Sequence, residues 1–112
     1  MAKFVVLYIG SMSAETQIAE STPEQAEAGM KAWTDWAAKT GDALVDFGTP
    51  LGTGREVSVS GVSDTATGVG GYSILEADDL QAAVDLVKDH PHFMSGGGSS
   101  IQIYPALEIP GM

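Results

Sequence analysis

Six consecutive apolar residues, Phe4-Val5-Val6-Leu7-Tyr8-Ile9, are the first pattern along the chain. Their β-branched and aromatic side chains predict a strand covered on both faces, closed by Gly10 and Ser11. The segment SMSAETQIAES that follows has no clear periodicity. Thr22-Pro23-Glu24-Gln25 then reads as a helix start, with Thr22 as cap, Pro23 at the first helical position and Gln25 completing a capping box. From there Ala26, Met30, Trp33 and Ala37 recur at helical spacing, and Gly29, Ala32 and Trp36 widen the apolar face. Glu24, Glu27, Lys31, Asp35 and Lys39 fall elsewhere, and Gly41 ends the helix near Thr40.

Leu44-Val45-Asp46-Phe47 alternates like a short strand. GTPLGTGRE is an irregular turn region, and Glu56 to Ser60 alternate again as an extra short strand. SGVSDTATGVGG, small and polar, predicts a loop that is mobile or walls a cleft. Tyr72 to Leu75 form a central strand, and Asp78 is expected to cap a second helix with Leu80, Ala83, Val84 and Val87 as its apolar stripe and Pro91 as its limit. MSGGGSS turns the chain into a last strand, Ile101 to Tyr104, stopped by Pro105. The order βαββαβ predicts an α+β, ferredoxin-like antiparallel sheet with both helices on one face. The other face of Phe4 to Ile9 is then left apolar, where each side chain buried is worth roughly 1.5–3 kcal/mol. A homodimer packed through that face is the expected assembly.

Composition narrows the function classes. The chain's 112 residues suit one domain spanning 1–112. Fifteen acids against five bases, a net charge of −10, oppose nucleic acid and anionic membrane surfaces as partners. The opening MAKFVVLYIG is too short an apolar run to span a bilayer, and the absence of cysteine fits a reducing cytoplasm, so a cytoplasmic location is expected.

Candidate chemistry is sparse. His90 and His92 are the two histidines, the side chains that titrate near neutrality, so a general acid or base is sought there first; alternatively they cap carbonyls at the negative end of the helix. His92 is the better catalytic candidate, since Phe93 can anchor the turn from which it projects. Asp46 or Asp64 beside it would complete a proton-transfer pair. His-Pro-His supplies two imidazoles where a zinc site needs at least three protein ligands, and Asp46, Asp64 and Glu76 would have to converge, so no metal is expected. Trp33 and Tyr72 are candidate walls for a planar organic ligand, although Trp33 also sits at core spacing. GVGG precedes a strand, neither glycine run carries a P-loop lysine, and no cofactor is expected.

GGYSILEADDLQAAVDLVKDHPHF, together with the glycine turn, IQIYP and DALVDFGTPLG, resembles the YCII-related family over most of the chain. The resemblance implies a dimeric α/β barrel. Members of the family carry an Asp-Gly-Pro-Phe motif before the glycines; here Ser63-Asp64-Thr65-Ala66-Thr67 stands there, and Asp64 alone matches. Enzymatic members pair a histidine near the first helix with an aspartate, and Pro23 to Thr40 contains no histidine. The expected role is a small-molecule enzyme or ligand-binding protein with a pocket beside the sheet, or else a non-catalytic structural dimer.

Overall fold

The computed structural model describes residues 2–10, 19–65, 68–95 and 98–111. Among the described residues the strands are β1 (Ala2–Ile9), β2 (Leu44–Asp46), β3 (Arg55–Ser58), β4 (Gly61–Asp64), β5 (Val69–Ala77) and β6 (Ser100–Pro105), and the helices are α1 (Pro23–Thr40) and α2 (Leu80–Val87), with Ala19 and Glu20 also helical. Short 3-10 turns cover Gly41–Ala43 and Pro91–Ser95. Ser11, expected to close the first strand, and the non-periodic stretch from it as far as residue 18 lie outside the described residues, as do Ala66 and Thr67 of the expected loop and Gly96 and Gly97 of the glycine turn.

Local chemistry sets the helix starts. The Gln25 amide donates to Thr22 Oγ1 at 3.1 Å while the Thr22 amide donates to Gln25 Oε1 at 3.0 Å, a reciprocal box that satisfies two orphan donors. At α2 the cap is Asp79, one residue later than expected from the sequence. Asp79 has the extended backbone a cap requires, and its carboxylate accepts from the Ala82 amide at 2.8 Å.

One sheet has the order β2-β5-β1-β6, with every pair antiparallel. Alternation along β1 and β5 sends Phe4, Val6, Tyr8, Ser73, Leu75 and Ala77 into the interior. There Trp36 of α1 and Val87 of α2 close over Val6, Tyr8 and Leu75, while Ala83 packs on Phe4 and Ala77. The opposite register presents Val5 beside Ile74 and Leu7 beside Tyr72, all half-buried, with no element of the chain laid over them among the described residues.

The sheet does not form the barrel that the family resemblance implied. It is open, with β2 and β6 as its two edges. Four strands at the ordinary twist between neighbours cannot meet around a circle, since a small barrel needs about eight. A second difference concerns residues 55–64. The alternating stretch and the start of the expected loop together form a separate two-stranded hairpin, β3–β4, in which Val57 stands opposite Val62.

Candidate functional site

Beyond α2 the chain turns inward, the His90 amide donating to the Val87 carbonyl at 3.1 Å. This turn drops the His90 ring beneath the sheet, 1% exposed, among Tyr8, Trp33 and Trp36 at centroid distances of 4.8, 4.4 and 4.3 Å. His90 Nδ1 accepts the His92 amide at 2.9 Å, so the proton of the neutral ring sits on Nε2. That Nε2–H has no hydrogen-bond partner among the described residues. Burial, and secondarily the charge of nearby His92, push His90 down to about 3, so it is neutral at physiological pH.

His92 is half-buried, its ring 5.4 Å from Tyr8, and its Nε2 lies 2.8 Å from the Ile9 carbonyl. A carbonyl only accepts, so this contact places the proton of the neutral ring on Nε2. The backbone of β1 thus fixes the tautomer of His92, and His90 fixes its amide.

A hydroxyl relay borders the two rings. Ser73 Oγ donates to the Phe47 carbonyl at 2.7 Å, which leaves the same oxygen to accept from Tyr8 OH at 2.8 Å. Burial raises the Tyr8 phenol to about 12, against the opposing effect of the Ser73 bond, so Tyr8 serves as a fixed donor and not as a proton-transfer group near neutrality. Trp33 stacks on Phe47 at 6.2 Å and meets Tyr8 edge-on at 4.8 Å.

Thus His90, His92 and Trp33 meet on the helix side of the sheet. Asp46 and Tyr72 meet elsewhere. Tyr72 OH lies 3.4 Å from Asp46 Oδ2, and Asp46 Oδ1 accepts the Gly48 amide at 2.8 Å, at the β2 edge of the uncovered face. Asp64 belongs to neither group; it lies 3.3 Å from Arg55 on the exposed hairpin. Among the described residues no three metal-ligating side chains converge. An apolar groove of about 380 Å³ opens between α2 and β6, lined by Leu80, Val84, Val87, Phe93, Ile101 and Ile103, with Lys88 at its rim.

Sequence reasoning missed Tyr8, Ser73 and Phe47. The signal for Ser73 was present: in Val69-Gly70-Gly71-Tyr72-Ser73-Ile74-Leu75 it occupies the same register as Leu75, so its hydroxyl had to be buried and partnered.

The family model for the YCII-related domain matches residues 4–106, from β1 through β6. The chain belongs to the YCII-related family. No curated protein matches it. Within the YCII-related match lie both histidines, the hydroxyl relay and the Asp46–Tyr72 pair, while family membership by itself specifies no reaction. No helix among the described residues is long and apolar enough to cross a membrane.

Proposed function

We propose that this YCII-related protein is a small-molecule enzyme of the cytoplasm in which His92 is the acid–base group. The observation that carries the reading is the 2.8 Å contact of His92 Nε2 with the Ile9 carbonyl, which orients a half-buried imidazole beside Tyr8 and fixes its tautomer. His90, buried and neutral, positions the turn by accepting the His92 amide, and Trp33 supplies the aromatic wall beside it. Asp46 and Tyr72, on the other side of the sheet, form a separate polar anchor for a ligand on the uncovered face.

A panel of metabolites screened against imidazole-labelled protein tests this, because two histidine spin systems are readily distinguished. Binding compounds should shift the His92 ring signals, and for a compound that is turned over, His92→Ala should lower the rate by about 10²–10⁴ with the fold intact. Turnover unchanged in His92→Ala would overturn the assignment.

The second reading, a non-catalytic structural dimer, draws on the uncovered face. Val5, Leu7 and Ile74 there are apolar and only half-buried, and a second copy laid on them removes them from water. The dimer belongs to both readings, which the turnover measurement separates.

A further inference from the structure

The buried Nε2–H of His90, which has no hydrogen-bond partner among the described residues, is shut in with three aromatic rings. A buried donor left unmade costs the full desolvation of its N–H, and native interiors leave few such groups. The three rings differ in what they can offer it. Tyr8 spends its hydroxyl on Ser73 and its ring is inclined at only 37° to His90. Trp36 spends its indole nitrogen on the Leu86 carbonyl at 3.0 Å, and its plane is inclined at 59°. Trp33 stands close to a right angle, 81°, with the ring centroids 4.4 Å apart. That is the edge-to-face geometry in which an N–H on one ring meets the negative π face of the other.

We propose that Trp33 is a positioning residue whose indole face accepts the His90 Nε2–H and thereby keeps His90 Nδ1 on the His92 amide. The inference deepens the acid–base reading of His92 and takes its functional meaning from that reading. The links run from the Trp33 face to His90 Nε2–H, from His90 Nδ1 to the His92 amide at 2.9 Å, and from His92 Nε2–H to the Ile9 carbonyl at 2.8 Å. With both links made, the neutral His90 ring has used its one donor and its one acceptor. Without the indole face the donor is buried and unmade. The ring relieves that by rotating or by swinging toward water, and either movement takes Nδ1 away from the His92 amide. The plane of Trp33 is itself held, since the indole is half-buried and stacks on Phe47 at 6.2 Å and 29°. Trp33 on α1 thus acts on His92 through His90 and without a bond to it.

The test is proton NMR of imidazole-labelled protein with both rings neutral, on wild type, Trp33→Phe and Trp33→Leu. In wild type the His90 Hε2 signal should be visible, slow to exchange with water and shifted upfield, because a proton over an aromatic face is shielded. A downfield Hε2, as from a proton in the plane of the rings, or one exchanging rapidly with water would overturn the proposal without any variant. Trp33→Phe keeps a π face and should keep the upfield shift, whereas Trp33→Leu keeps apolar bulk and should lose it. An upfield shift that survives Trp33→Leu would assign the contact to Trp36 and overturn the proposal. Amide exchange of His92, taken relative to the amides of the central strand β1, reads the positioning. Trp33→Leu should lower this relative protection at least about tenfold and Trp33→Phe much less, the factor being that of one hydrogen bond. Protection lost equally in both variants, or lost only in step with β1, would reduce Trp33 to packing and overturn its positioning role. Turnover unaffected by His92→Ala overturns the acid–base reading alone, so the two failures are told apart.

Discussion

Acidification should destabilise the fold through His90, and the effect can be isolated with His90→Asn. The ring is buried against Tyr8, Trp33 and Trp36, and its folded value of about 3 lies below the ordinary 6.5. The unfolded chain therefore takes up the proton first: the stabilisation is whole above about pH 6.5 and is lost as the pH falls toward 3. At pH 4.5 the unfolded ring is protonated and the folded ring almost entirely neutral, a difference of about two pH units of binding, or about 2.7 kcal/mol. Trp33 and His92 beside it are themselves half-exposed, so solvent screening reduces this to about 1–1.5 kcal/mol. His90→Asn retains an acceptor for the His92 amide and does not titrate; at pH 7.5 it should be less stable than wild type by a few kcal/mol because the ring no longer fills its site. Urea melts of both proteins at pH 7.5, 6.5, 5.5 and 4.5 give the difference at each pH, in which the carboxylates common to both cancel. The wild-type advantage should shrink by about 1–1.5 kcal/mol between pH 7.5 and 4.5. An advantage that stays constant, or that grows as a cation in an aromatic cage would make it grow, refutes the reasoning.

Tyr8→Phe removes one end of the hydroxyl relay and should cost about 1 kcal/mol, whereas Ser73→Ala strands both Tyr8 OH and the Phe47 carbonyl and should cost about 2–4 kcal/mol, both read from urea midpoints. Gly48 has φ +77, and a Cβ there would collide with the Tyr72 carbonyl, so Gly48→Ala should destabilise by at least about 2 kcal/mol and loosen β2 from β5 in amide exchange.

Much of the layered plan was legible because burial and alternation coincide. Phe4, Val6 and Tyr8 share one register of β1, and Trp36 and Val87 lie on the helical stripes that meet them. Two features were not legible, for different reasons. The hairpin's first strand was legible in the alternation of Glu56 to Ser60, but its second escaped notice because Gly61-Val62-Ser63-Asp64 has one β-branched apolar residue and buries nothing. The barrel was inferred from the family and not from the pattern; four strands in an open order supply no closure. At the site, His92 could be singled out as a titratable residue, but its anchor is a backbone carbonyl, Ile9, which no side-chain pattern announces. His90 read as an acid–base candidate or as a cap at the negative end of the helix. Its burial follows from Tyr8, Trp33 and Trp36, distant in sequence, converging on it.

The most direct test of the central claim, that the fold orients His92 by donation of its Nε2–H to the Ile9 carbonyl, is long-range nitrogen–proton correlation NMR on imidazole-labelled protein with both rings neutral. His90 and His92 are the chain's two histidines, and His90→Asn assigns them. Both neutral rings should show protonated Nε2 and bare Nδ1, His92 because Nε2 faces the Ile9 carbonyl and His90 because Nδ1 accepts the His92 amide. A His92 ring with its proton on Nδ1, or one exchanging evenly between the two tautomers, would contradict the account.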